Sequence, residues 1–208
     1  RSVGVTGVQT CALPIYLLRA IAADGQEIGS HTNSHKAMNR RNERGQQVPV
    51  MGREEYAEDV KESFRRLSET VGDVVVDGRP ALTRLLRPPT LAVSRSGVRA
   101  NFDAGFTYIV SGASTSDYAQ PDLPSLIAAM QNAIFTRRGT VRKGSVLVMH
   151  MSATAKFTAK AVDLMLTANE QRPDGDPAKF RLGRLDEYLT GDYSQMMRHI
   201  PEIGRAHV

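Results

Sequence analysis

The clearest hydrophobic pattern in the chain lies between residues 53 and 71. Large apolar side chains recur there every three or four residues, which is the period of an α-helix with one buried face. They are Tyr56, Val60, Phe64, Leu67 and Val71. Most of the other positions are polar or charged, and Gly72 follows the last apolar residue. We therefore predict an amphipathic helix over 53–71 that ends at Gly72.

Short apolar runs and helical patterns alternate along the rest of the chain. The runs predict strands at 27–30, 83–86, 106–110, 145–149 and 179–184. Further helices are predicted at 16–23, 92–103, 157–170 and near 186–189, together with one that begins after Asp122 and ends before Gly139. Residues 36–52 are polar and predict a long loop. The alternation indicates an α/β fold with a parallel sheet, either open or closed into a barrel.

Residues capable of chemistry follow the predicted strands. His31 and His35 come after the first predicted strand, and Arg87, Asp117 and His150 follow later ones. Active sites of α/β barrels are built at the carboxyl ends of the strands. The placement therefore makes these five residues the candidates for a functional site.

Composition narrows the possible classes of protein. Of 208 residues, 41% are hydrophobic and 24% are charged, which is typical of a globular domain. The net charge of +5 is small, and no basic stripe with interleaved aromatic residues is present, so a nucleic-acid partner is not expected. Cys11 is the one cysteine of the chain, so no disulfide framework is possible.

Both ends of the sequence resemble translated sequencing adapters. Residues 5–15 and 202–208 correspond to in-frame translations of the two strands of a common short-read adapter. We therefore treat residues 1–15 and 202–208 as artefacts and assign the domain to residues 16–201. On this interpretation the first strand of the natural domain is missing.

The two histidines are four residues apart in the run from His31 to His35. On a helical turn this spacing would place both imidazoles on one face, within reach of one metal ion. The alternative is a pair of solvated loop histidines. Arg87 with Pro88 and Pro89 is either a turn that stops a helix or an arginine held in place to orient a carboxylate.

The later candidates also have ordinary explanations. Asp117 and Tyr118 lie in a loop rich in serine, glycine and threonine, where aspartate often stabilises a turn. His150 is either a structural histidine or a general acid or base at the end of a strand.

Taken in order, these motifs resemble the polysaccharide deacetylases, the NodB-homology carbohydrate esterases. The family's second motif pairs two histidines with serine or threonine after the first, and residues 31–35 match it fully. Arg87-Pro88-Pro89 matches the start of the third motif, and Asp117-Tyr118 approximately matches the end of the fourth, with tyrosine in the place of tryptophan. Residues 148–150 match the fifth, with valine for leucine. The resemblance covers nearly all of residues 16–201 and implies a distorted (β/α) barrel, incomplete because the first strand is missing.

The chain departs from the family pattern at three places. Thr90 and Leu91 replace a tyrosine and a glycine of the third motif, and Ser114 replaces the first aspartate of the fourth. The first motif, which carries the family's catalytic aspartate and third metal ligand, is absent, because the first acidic residue is Asp24. We therefore expect this chain to be inactive by itself.

The resemblance implies a role for each remaining candidate. His31 and His35 would bind a divalent metal, expected to be zinc, which would polarise the acetamide carbonyl and activate water. Arg87 would orient the missing aspartate, and the backbone N–H of Thr90 would help to hold the oxyanion. His150 would protonate the leaving amine, and Asp117 would bind His150 and adjust its acidity. Tyr118 would line the groove that holds the sugar.

The expected activity is the removal of N-acetyl groups from an acetylated polysaccharide, such as peptidoglycan or a chitin-like glycan. Two alternatives stay open: a non-catalytic carbohydrate-binding relative, and a metal-dependent amidohydrolase that acts on a non-sugar amide. The resemblance also implies export or attachment to the cell envelope of a bacterium. The sequence does not determine the oligomeric state.

Overall fold

The computed structural model describes residues 5–6 and 14–187. The chain divides into two compact units, one from residues 1–110 and 182–208 and the other from residues 111–181. Over the described ranges, no helix has both the length and the apolar character needed to cross a bilayer.

The first unit combines short strands with three longer helical segments. Its strands are β1 (Val5–Thr6), β2 (Ile28–Ser30), β3 (Asn39–Arg41), β4 (Gln47–Pro49), β5 (Val75–Val76), β6 (Arg79–Pro80), β7 (Leu82–Leu86) and β8 (Tyr108–Ile109). Its helices are α1 (Ile15–Ala23), α2 (Arg53–Val71) and α3 (Arg95–Asp103). The predicted helix over 53–71 is confirmed at both ends.

A parallel sheet in the order β1-β2-β7-β8 positions the candidate residues of this unit. Ser30 pairs with Leu86, and Leu86 with Ile109, so the residues after β2 and β7 leave the sheet at the same edge. The strands also approach closely, because a Cβ added to Gly29 would lie 3.0 Å from the carbonyl oxygen of Leu85. Glycine in β2 permits this contact just before His31.

Helix α2 supplies much of the apolar core of the first unit. Its residues Tyr56, Val60, Leu67 and Val71 are fully buried, as the periodicity predicts. Full burial of one such side chain contributes roughly 1.5–3 kcal/mol. Glu54 and Glu55 lie in the first turn, where negative charge is favourable beside the helix dipole.

The second unit has two helices and one pair of strands. Its strands β9 (Ala113–Ser114) and β10 (Leu147–Val148) pair in parallel. Its helices are α4 (Leu123–Ile134) and α5 (Thr158–Glu170), which share an apolar core built around Leu126, Met130, Ala161 and Met165. The predicted cap of α4 is confirmed: the carboxylate of Asp122 accepts the backbone N–H of Ser125 at 2.8 Å.

Several predicted elements are wrong. Residues 36–52 contain the antiparallel hairpin β3–β4, because the side chain of Asn42 accepts the N–H groups of Arg44 and Gln46 and closes a turn at Gly45. No strand forms over 179–184, since the amide of Asn169 satisfies both backbone groups of Phe180. At 186–189 the described part is a 3₁₀ turn, Leu185–Glu187, and the remainder lies outside the described residues.

The predicted barrel needs correction as well. The described strands form small, unclosed sheets, because most of them are only two or three residues long. The architecture is α/β without a closed barrel over the described residues. Within the segment assigned to an adapter, Val5–Thr6 pairs with Ile28 and Gly29. The absence of the natural first strand stays a prediction. The adapter origin of residues 1–15 and 202–208 stays a prediction.

Candidate active site

His31 lies at the end of β2, where its side chain is almost completely buried. Its Nδ1 is 2.5 Å from the backbone carbonyl oxygen of Arg87. A carbonyl oxygen can only accept, so Nδ1 carries the proton and donates it. In the neutral ring, Nε2 is then the nitrogen that carries the lone pair, which is the atom through which a histidine binds a metal ion.

His35 completes the predicted pair. The rings of His31 and His35 are 5.0 Å apart between centroids and meet edge to face at 60°. The loop between them is irregular, so the expected helical turn is wrong. Left-handed backbone at Thr32 (φ 65°) and His35 (φ 57°) brings the rings together instead. Such a conformation is unfavourable for threonine, so the surrounding structure has to hold it.

Arg87 contributes to this site through its backbone. Its N–H donates to the carbonyl of Ser30 at 2.9 Å, and its own carbonyl accepts from His31. Both backbone groups of Arg87 thereby tie the end of β7 to the end of β2. The side chain of Arg87 is half-buried, and its predicted action on a carboxylate is untested.

Thr90 follows in the same loop, within a 3₁₀ turn at Pro89–Leu91. It is exposed, and both Thr90 (φ 55°) and Leu91 (φ 57°) have left-handed backbone. Those are the two positions at which the chain departs from the third motif of the deacetylases. Their strain is of the kind found at binding sites, at a cost of about 1–3 kcal/mol each.

The histidine pair fits part of a metal site. An imidazole held by a backbone carbonyl through Nδ1 is a common arrangement for a metal ligand. Among the described residues, however, no group of three histidine, cysteine, aspartate or glutamate side chains could hold a metal ion. The described residues therefore offer two candidate ligands, and a metal site built on them would need a third.

Asp117 organises the candidate residues of the second unit. Its carboxylate is buried and accepts the backbone N–H of His150, the ring Nδ1 of His150 and the hydroxyl of Thr158, each at 2.7 Å. Burial tends to raise the pKa of Asp117, but the hydrogen bonds from His150 and Thr158 outweigh it. The pKa therefore lies below its usual value, and Asp117 is ionised at neutral pH.

The same contact defines the state of His150. Because Nδ1 donates to the carboxylate, Nε2 is the ring atom left to take up or release a proton. The His150 side chain is 36% exposed. Tyr118 packs edge to face on His150, with 5.0 Å between the ring centroids, and is half-exposed. This arrangement suits a proton donor beside an aromatic wall.

Comparison with known proteins identifies the family. Residues 9–109 match the polysaccharide deacetylase family model. This part of the chain belongs to the polysaccharide deacetylase family. The match contains His31, His35, Arg87 and Thr90, whereas Asp117, Tyr118 and His150 lie beyond it. It also includes residues 9–15 of the predicted adapter segment.

Solved structures with the same fold are carbohydrate esterases of family CE4. A CE4 family pseudoenzyme from Bacillus anthracis is 19% identical, with a TM-score of 0.60 over 85% of this chain and 51% of its own. A family 4 acetyl xylan esterase from Clostridium thermocellum, in complex with a cobalt ion, is also 19% identical. Its TM-score is 0.60 over 89% of this chain and 75% of its own.

A peptidoglycan N-acetylglucosamine deacetylase has a TM-score of 0.54 at 17% identity, over 83% of this chain and 67% of its own. No curated protein sequence matches the chain significantly. The chain spans about half the length of the pseudoenzyme structures that it resembles. These likenesses indicate the deacetylase fold for most of the chain.

Two contacts of the candidate residues, one in each unit, were not predicted from the sequence. Thr158, the first residue of α5, donates to Asp117, and Asp59 of α2 accepts backbone N–H groups from the loop between the histidines. Both residues are small polar side chains in helices, without a local motif that marks them. Each contact joins positions at least 25 residues apart, so local pattern carries no signal for it.

Proposed function

We propose that the protein containing this chain is a metal-dependent hydrolase that removes N-acetyl groups from an acetylated polysaccharide. The observation that carries the proposal is the hydrogen bond from Nδ1 of His31 to the Arg87 carbonyl. It leaves Nε2 of a nearly buried histidine as a lone-pair donor, 5.0 Å between ring centroids from His35. A divalent metal bound by this pair, which we expect to be zinc, would supply Lewis-acid activation of water and of the acetamide carbonyl.

His150 is the proposed general acid for the leaving amine. Asp117 fixes its ring through Nδ1 and stabilises the positive charge that the ring carries when protonated. Thr158 in turn holds the second oxygen of Asp117. This arrangement leaves Nε2 to deliver its proton to the nitrogen of the breaking C–N bond.

Three further residues complete the proposal. Arg87 orients a carboxylate base supplied by an upstream aspartate, and the backbone N–H of Thr90 contributes to the oxyanion site. Tyr118, which is half-exposed beside His150, contacts the sugar ring. A distorted (β/α) barrel in the intact domain, of which this chain is an incomplete part, also belongs to this proposal.

The proposed substrate is peptidoglycan or a chitin-like glycan. The likeness to a peptidoglycan N-acetylglucosamine deacetylase supports an amide substrate, although the likeness to an acetyl xylan esterase makes O-acetyl groups the comparison to test. A polymer of the cell wall also requires an exported or envelope-associated protein, which we propose for this one.

A second candidate is a non-catalytic protein that retains the fold and binds carbohydrate. Two observations favour it: the described residues hold no three-ligand metal group, and some of the similar structures are pseudoenzymes. The departures at Thr90, Leu91 and Ser114 are consistent with it as well. The decisive difference is the presence of an aspartate pair upstream of this chain in the natural gene.

Deacetylation assays on two forms of the protein test the proposal. One is the 208-residue chain, and the other is the natural reading frame extended upstream. Each is incubated with Zn²⁺ and N-acetylglucosamine oligomers, peptidoglycan, O-acetylated xylan and a non-sugar acetamide. We expect turnover only from the extended form, lost with a chelator and regained with Zn²⁺.

The outcomes separate the candidates. Turnover by the 208-residue chain near that of an intact family member would contradict the expected need for the upstream aspartates. An extended form that binds glycan oligomers without hydrolysing them would identify the non-catalytic protein. Hydrolysis of the non-sugar acetamide alone would identify a metal-dependent amidohydrolase and would contradict a polysaccharide substrate.

A further inference from the structure

Asp59 links helix α2 to the loop that carries both histidines. Its Oδ1 accepts the backbone N–H of Ser34 at 3.0 Å, and its Oδ2 accepts that of Asn33 at 3.2 Å. Two consecutive backbone N–H groups directed at one carboxylate form a small anion-binding concavity. Helix α2 thus supplies the Asp59 carboxylate to the histidine loop, although Asp59 follows Ser34 by 25 residues in the sequence.

The loop needs such a restraint because its backbone is strained. Thr32 and His35, on either side of the two held amides, both have positive φ angles. Left-handed backbone at non-glycine residues is unfavourable and persists only where other contacts impose it. Hydrogen bonds to a carboxylate are stronger than bonds between neutral groups, so the two bonds to Asp59 can offset this cost.

Helix α2 holds the Asp59 carboxylate in a fixed position. Tyr56 and Val60 are fully buried, so the turn of helix that carries Asp59 is fixed in the core of the first unit. The packing of Tyr56 and Val60 therefore fixes the position of Asp59, to which the loop amides bind.

We propose that Asp59 is a positioning residue that sets the separation of His31 and His35 by holding the amides of Asn33 and Ser34. This inference rests on the proposed function, since the purpose of the separation is to bind one metal ion. It extends that function by assigning the geometry of the pair to a carboxylate outside the matched motifs.

Asp59→Asn is the direct test, because the amide has the shape of the carboxylate but can accept at only one of its two polar atoms. Its NH₂ group would face a backbone N–H, and one bond to the loop would be lost. Glu58→Gln is the matched control. It removes the same charge from the neighbouring residue, whose exposed carboxylate pairs only at the surface with Lys61.

The first readout is NMR of the metal-free, 208-residue chain. We expect Asp59→Asn to shift the amide signals of Asn33 and Ser34 and to weaken the ring-to-ring contact between His31 and His35. Glu58→Gln should leave both unchanged. Asp59→Glu is a second variant that keeps the charge but moves it by one methylene, and it should shift the same amides even if the asparagine variant folds poorly.

The second readout is a Zn²⁺ titration of the upstream-extended protein, which would supply the expected third ligand, followed by the histidine ring signals. We expect the dissociation constant to rise about tenfold or more in Asp59→Asn, as for other residues that orient metal ligands. Glu58→Gln should change it less than twofold, and Asp59→Glu should lie between.

The two readouts distinguish the possible failures. Unchanged Asn33 and Ser34 amides in both Asp59 variants would overturn the positioning role, whatever Zn²⁺ does. Shifted amides with no Zn²⁺ response of the His31 and His35 rings, even in the wild-type chain, would support the positioning role and count against the proposed metal site. Equal Zn²⁺ affinity in Asp59→Asn and Glu58→Gln would overturn the link between positioning and metal binding.

Discussion

One carboxylate fixes both the backbone and the ring of one histidine. Asp117 accepts the backbone N–H of His150 on Oδ2 and the ring Nδ1 of the same residue on Oδ1, both at 2.7 Å. The bonds determine the ring orientation and the nitrogen that carries the proton. Because Thr158 also donates to Oδ2, the carboxylate is held in the direction that this arrangement requires.

Replacement of Asp117 by Asn should reduce stability in a pH-dependent way. The pKa of Asp117 is depressed in the folded protein, so its ionised form stabilises the fold above the unfolded pKa of about 4. That contribution is lost as pH falls below 4, through the lower folded pKa. We expect a loss of at least about 1.5–3 kcal/mol at pH 7, which shrinks in acid.

Urea unfolding of wild type and Asp117→Asn from pH 7 to pH 2 measures this difference. Asp163→Asn is the control, since Asp163 is exposed and forms only a surface ion pair with Lys160. A constant difference across the pH range would mean that the carboxylate charge is not the stabilising element.

Removal of either histidine of the first unit should weaken Zn²⁺ binding by the upstream-extended protein and abolish its activity without unfolding it. His31→Ala and His35→Ala each leave one imidazole, which is too few for a stable divalent site. His35 is exposed, so its variant should melt near wild type, whereas His31→Ala also loses the bond to Arg87. Zn²⁺ titration and thermal unfolding should be measured on the same samples.

Wild-type Zn²⁺ affinity in both variants would show that neither histidine binds the metal ion. In the upstream-extended protein, full activity of both after chelation and Zn²⁺ re-addition would have the same meaning.

Local pattern predicted the elements whose signals lie within one segment. Helix α2 follows from its apolar period, and α4 from the cap at Asp122 and the stripe behind it. The hairpin β3–β4 was missed because its signal is the side-chain turn at Asn42 within a polar stretch. No strand forms at 179–184, because a distant side chain, Asn169, supplies the bonds that a neighbouring strand would make.

The site shows the same limit. Residue types and order selected His31, His35, Asp117 and His150, and each pair is brought together within its own unit. The loop conformation that brings His31 and His35 together was not predictable from their spacing. It depends on left-handed backbone at Thr32, a conformation that threonine disfavours. Contacts made across 25 or more residues, such as that of Asp59, hold such strained segments.

Glu27 should give stability the opposite pH dependence from Asp117. Its carboxylate is fully buried and accepts the backbone N–H groups of Leu185 and Asp186 at 2.7 and 3.2 Å. Burial raises the pKa of Glu27, with Asp186 adding to the rise and Arg184 opposing it. The folded state therefore loses stability as pH rises from about 4.3, the unfolded value, through the raised folded pKa.

Glu27→Gln cannot titrate, so it should remove that fall from the stability curve while one N–H bond is retained. The measurement is the free energy of unfolding from pH 3 to pH 7, with Glu58→Gln as an exposed control. A variant curve parallel to wild type throughout this range would show that Glu27 does not titrate in it.

His150→Ala tests whether His150 acts as the general acid while His31 and His35 bind the metal. In the upstream-extended protein, we expect kcat to fall roughly 10²–10⁴-fold, the usual contribution of a general acid. Zn²⁺ affinity should stay within about twofold, because His150 is held by Asp117 for proton transfer and has no assigned role as a ligand. Substrates with a better leaving group need less protonation, so the variant should hydrolyse an activated ester with a smaller loss than an acetamide. Thr158→Val provides a graded comparison, since it weakens the hold on Asp117 and leaves the imidazole in place. A large loss of Zn²⁺ affinity in His150→Ala would make this histidine a metal ligand and overturn its role as the acid.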